Sequence, residues 1–114
     1  MAHVPDLLFG SKVQGMLTAG GHEVALVGSE PAVREQIASS DVLVVDLTAD
    51  DVAGIALLEA LKASDSVGEA KTLAFYSHVE AGVRKRALDA GFDLVVPRSR
   101  MAREGSALVD RLVA

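Results

Sequence analysis

The chain has 114 residues, no cysteine and a formal net charge of −5 at pH 7. This length accommodates one domain, residues 1–114, with a core of its own, and the lack of cysteine excludes disulfides, thiolate chemistry and cysteine-based zinc sites. The net negative charge repels nucleic-acid phosphates, and with 4% aromatic residues the chain has few side chains on which bases could stack. Direct nucleic-acid binding is therefore disfavoured.

The N-terminal segment and the length of the apolar runs indicate where in the cell the protein is expected. Residues 1–12 show no basic stretch followed by a long apolar core, and no apolar run approaches the ~18–20 residues that a membrane span needs. We therefore expect a soluble, cytoplasmic protein that does not contact a membrane.

Five short apolar segments are predicted to form strands, and a segment with helical periodicity follows each of them. The predicted strands lie, in chain order, within residues 2–8, 22–28, 41–47, 71–77 and 93–97. Their Val, Leu and Phe runs lack regular polar alternation, which is typical of strands covered on both faces. The predicted helices span residues 11–20, 30–40, 50–64, 77–91 and 101–114.

Five strand–helix units with short connections require parallel strands, and right-handed crossovers then give a doubly wound α/β sandwich. In such a sheet, ligands bind outside the carboxyl ends of the strands. The candidate site residues are therefore those that just follow the predicted strands: Asp6, Gly28, Ser29, Asp46, Ser77 and Arg98. His78 would lie at the rim of such a site.

This arrangement resembles the receiver domain of bacterial response regulators over essentially the whole chain. An Asp ends the third strand, a hydroxyl residue ends the fourth and a basic residue ends the fifth. The stretch GFDLVVPR (91–98) resembles the family's run from a glycine at the end of the fourth helix to the basic residue. The resemblance implies a flavodoxin-like, CheY-like three-layer fold with strand order 2-1-3-4-5, and a role in signalling rather than enzyme activity.

The resemblance also implies a role for each candidate residue. Asp46 would accept a phosphoryl group, Ser77 and Arg98 would contact that group, and Asp6 would join Asp46 in a weak Mg²⁺ site. A carboxylate that attacks a phosphoryl centre needs its charge repulsion neutralised and needs donors on the phosphoryl oxygens, which these residue types supply.

Several positions depart from the family's pattern, among them Ser99, which stands where the family has a Pro after the basic residue. The stretch VPDLLF (4–9) offers one Asp after Pro5 where the family has two adjacent carboxylates, and the basic residue is Arg instead of Lys. Val95 or Val96 stands where the family has an aromatic residue. These departures predict an atypical or pseudo-receiver in which Mg²⁺ binding is weak or absent, with phosphorylation-independent docking or dimerisation as the alternative function.

Charge is distributed unevenly along the chain. Residues 84–114 carry 7 basic and 4 acidic groups, whereas residues 1–83 carry 4 basic and 12 acidic groups. Six of these seven basic residues would line the face formed by the fourth helix, fifth strand and fifth helix: Arg84, Lys85, Arg86, Arg98, Arg100 and Arg103. Receiver families use that face for homodimerisation or docking, so we expect protein partners such as a histidine kinase or a downstream effector.

The candidate residues also have structural interpretations. Asp46 could end its strand and support a turn, Asp6 could cap a turn after Pro5, and Ser77 could cap the helix that follows it. Residues 10–30 superficially resemble the start of a dinucleotide-binding unit, although their glycines do not make the G-x-G-x-x-G pattern. A small nucleotide-binding α/β domain is therefore the less favoured alternative.

Overall fold

A computed structural model of the chain describes residues 1–77 and 82–114. Short strands alternate with helices along the chain. The strands are β1 (Ala2–His3), β2 (Val42–Asp46), β3 (Lys71–Tyr76) and β4 (Leu94–Pro97). The helices are α1 (Leu7–Ala19), α2 (Glu30–Gln36), α3 (Asp51–Ala63), α4 (Val83–Ala90) and α5 (Arg98–Val113), and a 3-10 turn at Ile37–Ser39 follows α2.

The four strands form one parallel sheet in the order β1-β2-β3-β4. Strand residues alternate between its two faces, and each face carries a separate hydrophobic core. Leu43, Val45 and Ala74 pack with α2, α3 and α4 on one face. Val44 and Leu73 pack with α1 and α5 on the other. This confirms the predicted three-layer sandwich with a parallel sheet.

The predicted second strand is reduced to one bridge, so the sheet of the described residues has four strands where five were predicted. Leu26 forms an isolated parallel bridge with Ala2. The Ala2 backbone N–H donates to the Ala25 carbonyl at 2.9 Å, and the Val27 N–H donates to the Ala2 carbonyl at 3.0 Å. This segment lies beside β1, where the order 2-1-3-4-5 places it. Because β1 has only two residues, it offers the segment no partner for a longer ladder.

Two helices begin earlier than predicted. α1 begins at Leu7 and not at residue 11, because Asp6 caps it, and α5 begins at Arg98 directly after β4. α4 ends at Ala90, and Gly91 follows it as the C-cap, at the end predicted from the sequence. Gly91 has a left-handed φ of 110°, which favours glycine at this position. Residues 78–81, which follow Ser77 in the helix predicted at 77–91, lie outside the described residues. No helix in the described ranges is long and apolar enough to span a membrane.

Candidate functional site

Asp46 is the last residue of β2 and is buried, with 4% of its surface exposed. Its Oδ1 atom accepts hydrogen bonds from the backbone N–H of Thr48 at 2.7 Å and from the Thr48 hydroxyl at 2.5 Å. Its Oδ2 atom is buried and has no hydrogen-bond partner among the described residues. Oδ1 therefore stabilises the turn after β2. Oδ2 accepts no hydrogen bond from the described residues, which is energetically unfavourable for a buried carboxylate oxygen.

Ser77 and Arg98 follow two neighbouring strands at the same level. Tyr76 of β3 pairs with Pro97 of β4, so Ser77 and Arg98 are the next residues along their chains. Ser77 is half-buried. The described part of α4 begins at Val83, with Gly82 at its N-cap, so Ser77 does not cap that segment.

β1 brings apolar residues to the level of Asp46. The register pairs Ala2 with Val44 and His3 with Val45, so the residue that follows β1 beside Asp46 is Val4. Val4 is buried in the core next to α1 and α5. Pro5 follows it, and Asp6 comes only after both. The residue that lies beside Asp46 at the end of β1 is therefore the apolar Val4 and not an acid.

Asp6 has a structural role as the N-cap of α1. Its Oδ1 atom accepts hydrogen bonds from the backbone N–H groups of Leu8 at 3.0 Å and Phe9 at 3.2 Å. Its Oδ2 atom lies 4.0 Å from a terminal nitrogen of Arg98. The interpretation of Asp6 as a cap fits this geometry, although the capped element is α1 itself.

Replacing Asp6 by alanine is expected to lower the free energy of unfolding by about 1 kcal/mol, because two backbone N–H groups at the start of α1 lose their acceptor. Asp6→Asn keeps an oxygen at the cap but loses the charge that faces Arg98. That ion pair is solvent-exposed, so the asparagine variant should stay within a few tenths of a kcal/mol of the wild type. Urea denaturation of the three proteins measures both effects. Equal losses in the two variants would assign the stabilisation to charge and not to capping.

Arg98 lies over an aromatic ring. Its guanidinium carbon is 3.9 Å from the centroid of the Phe9 ring, an arrangement typical of a cation–π contact. The Phe9 ring contacts Phe75, with ring centroids 5.3 Å apart and an interplanar angle of 59°. Phe75 pairs with Asp46 in the sheet. The structure therefore brings Arg98 together with Asp6, and among the described residues no cationic side chain lies within ion-pair distance of Asp46.

The residues at these strand ends fit a divalent cation poorly. Mg²⁺ requires oxygen ligands in near-octahedral geometry. Asp46 offers one oxygen that accepts no hydrogen bond from any described residue. Val4 and Pro5 offer no side-chain oxygen, and Asp6 already contacts the start of α1 and Arg98. Residues 1–77 and 82–114 contain no group of three or more acidic, histidine or cysteine side chains placed to hold a metal.

Two contacts of the site were not predicted from the sequence, the hydrogen bonds of Thr48 to Asp46 and the contact of Phe9 with Arg98. Thr48 stands two residues after Asp46, a spacing that is typical of Asx turns and could have indicated the contact. Phe9 carries no comparable signal, because its contact with Arg98 joins the start of the first helix to the start of the last. His78, predicted at the rim, lies outside the described residues.

The structure does not form a glycine-rich phosphate-binding turn from Gly10 and Gly15. A phosphate-binding turn needs its glycines between a strand and the start of a helix. Gly10 and Gly15 instead lie inside α1, which spans Leu7–Ala19.

The basic residues near the C-terminus lie on α4 and α5, on the two sides of the edge strand β4. Several of them face acids of the same chain. The ion pairs are Lys85–Asp89 at 2.8 Å, Arg86–Asp51 at 2.6 Å and Arg100–Glu104 at 3.4 Å. These pairs neutralise part of the positive charge that the sequence places on this face.

No protein-family model matches the sequence, and no curated protein matches it. Solved structures do match the fold. The receiver domain of the Francisella response regulator 1452 superposes with a TM-score of 0.81 at 16% identity, covering 98% of this chain and 93% of that one. FixJ-N gives a TM-score of 0.82 at 19% identity, with coverage of 98% and 90%.

A response regulator from Thermotoga maritima gives a TM-score of 0.80 at 13% identity and covers 99% of this chain and 94% of its own. Identities this low carry information on the fold alone. The similarity extends over the sheet, both helix layers and the strand ends that hold Asp46 and Arg98. The chain therefore has the fold of the response-regulator receiver domains over nearly its whole length.

Proposed function

We propose that this chain is a receiver-like signalling module of a two-component system, in the cytoplasm, with Asp46 as its phosphoryl acceptor. The observation that carries the proposal is the position of Asp46 at the carboxyl end of a central strand, where its Oδ2 atom has no hydrogen-bond partner among residues 1–77 and 82–114. The module would act through contact with proteins, a histidine kinase upstream or an effector downstream, and not as an enzyme.

The chemistry that we propose is a simple phosphoryl transfer. The Oδ2 atom of Asp46 attacks the phosphorus of an acyl phosphate or phosphohistidine donor, and the bond from phosphorus to the donor breaks. The bonding electrons leave with the acetate oxygen or the imidazole nitrogen. Ser77 and Arg98 supply a hydroxyl and a guanidinium at the neighbouring strand ends, where they would contact the phosphoryl oxygens. Arg98 is 42% exposed, which leaves its side chain room to turn towards the site.

A specific observation favours a second candidate function. Val4 and Pro5 occupy the strand end beside Asp46 and offer no side-chain oxygen. A divalent cation, which would neutralise the charge repulsion during phosphoryl transfer, therefore has few ligands there. In this second candidate the module docks onto partners or dimerises through α4, β4 and α5 without phosphorylation.

The intact mass of the protein after incubation with acetyl phosphate separates the two candidates. We expect a single phosphoryl adduct on the wild type and none on Asp46→Asn. Asp50→Asn is the matched control, because Asp50 lies in the same loop and its Oδ1 atom caps α3, a role that asparagine can keep. This control should be labelled like the wild type. A wild type that is folded and remains unlabelled would refute phosphoryl acceptance and favour the second candidate.

A further inference from the structure

We infer that the residues beside Asp46 do not hold a divalent metal and that Arg98, which lies next to Asp6, is the resident cation at this edge of the sheet. The inference rests on the proposed function only in taking the carboxyl ends of β1, β2 and β4 as the site. It goes further because it assigns both the charge that neutralises the site and the residues that keep a metal out.

The first step is the register of β1 against β2. Because His3 pairs with Val45, Val4 is the residue level with Asp46. Val4 and Val44 both belong to the core on the side of α1 and α5. Asp46 lies two residues after Val44 in the same strand, so its side chain is on the same face of the sheet. An acid that shared a metal with Asp46 would have to stand at Val4 or the adjacent Pro5. Both side chains lack oxygen, so the site loses its second carboxylate.

The second step concerns the acid that is present. Asp6 lies beyond Val4 and Pro5, and its Oδ1 atom already accepts two backbone hydrogen bonds at the start of α1. A metal that recruited Asp6 would compete with the helix cap for one oxygen and with Arg98 for the other. Asp6 is therefore a poor replacement for the missing ligand.

The third step is the position of the guanidinium. The Arg98 guanidinium contacts two groups, the face of the Phe9 ring at 3.9 Å and the carboxylate of Asp6 at 4.0 Å. An arginine stays positively charged at every pH at which the protein folds. A positive charge at this strand end repels a divalent cation and partly neutralises the Asp6 carboxylate.

Manganese titration followed by backbone amide NMR tests the inference, because bound Mn²⁺ broadens the signals of nearby amides. In the wild type we expect no selective broadening of the Leu47 and Thr48 amides. The double variant Val4→Asp/Pro5→Asp restores two adjacent acids and should gain selective broadening there. Its matched control, Val4→Asn/Pro5→Asn, should not. Selective broadening in the wild type that disappears in Asp46→Asn would overturn the inference.

Because Val4 is buried, the double variant could fail to fold. Pro5→Asp alone changes an exposed position and keeps the test available, with Pro5→Asn as its control. Absence of selective broadening in a folded Pro5→Asp variant would contradict the role assigned to the missing acid.

The role of Arg98 is tested in the variant that gains the metal. There, Arg98→Met should tighten Mn²⁺ binding on the order of tenfold, because a repelling charge is removed. Arg98→Lys keeps the charge and should leave the Mn²⁺ affinity near its starting value. Equal affinities in the methionine and lysine variants would overturn the assignment of Arg98 as the resident cation.

Labelling with acetyl phosphate in Mg²⁺ or in EDTA separates this inference from the proposed function. Equal labelling in both supports the inference and the acceptor role together. Labelling that needs Mg²⁺ overturns the inference and leaves Asp46 as the acceptor. No labelling in either condition refutes the acceptor role, while the manganese titration still decides the inference.

Discussion

Replacing Phe75 by alanine is expected to lower the free energy of unfolding by about 3–5 kcal/mol. Phe75 lies in β3 between two neighbouring strands, and its side chain is fully buried. The substitution removes an aromatic ring from the core on the α1 and α5 side and leaves a cavity that the sheet cannot close. It also removes the ring that supports Phe9, on which Arg98 rests.

Chemical denaturation gives the loss of stability, and the side-chain Nε–Hε signal of Arg98 reports on its contact with Phe9. Phe75→Leu is the matched control, because it keeps most of the buried volume and should lose distinctly less stability. We expect the Arg98 signal to shift in the alanine variant through the displaced Phe9 ring. A loss below about 1 kcal/mol would contradict the central place assigned to Phe75, because the ring would then contribute little to the core.

Replacing Asp46 by asparagine is expected to raise the free energy of unfolding by about 1–2 kcal/mol at neutral pH. Asparagine keeps an oxygen to accept the two hydrogen bonds from Thr48. It also removes the negative charge from a buried position where Oδ2 has no partner among the described residues. A neutral amide pays a smaller desolvation penalty than a carboxylate, so the folded state should gain.

Asp46→Ala separates the two contributions of this residue. Alanine also removes the buried charge but loses both hydrogen bonds from Thr48, so its stability should fall below that of the asparagine variant. Urea denaturation of the three proteins at one pH measures the order. An asparagine variant less stable than the wild type would mean that the Asp46 carboxylate is stabilised by a partner and that its burial does not lower the stability of the protein.

The alternation of strands and helices could be predicted because burial on both faces leaves a pattern in the residues themselves. The segment 41–47 became β2, and the helix predicted at 50–64 became α3 at Asp51–Ala63. The segment 22–28 has an equally apolar pattern but formed a single bridge at Leu26. A longer strand needs a neighbouring strand of similar length, and β1 has only two residues. The residues of 22–28 do not reveal how short this neighbour is.

The candidate site was predictable in part for the same reason. The position of Asp46 at the end of a buried strand follows from its own apolar neighbours. Whether Asp6 stands beside it depends on the register of β1 and on where α1 begins, and both place Val4 there instead. Sequence spacing cannot measure a register that backbone hydrogen bonds between distant segments establish.

The sequence by itself determined the class of fold, the parallel sheet and the acid at the end of its third predicted strand. These follow from local hydrophobic patterns and from the geometry of short connections. Only the tertiary structure decided that Asp6 caps a helix, that Arg98 rests on Phe9, and that one buried oxygen of Asp46 has no partner in the described part of the chain. Each of these contacts depends on how elements pack against one another, because a side chain meets its partner only where the fold brings distant residues within a few ångströms.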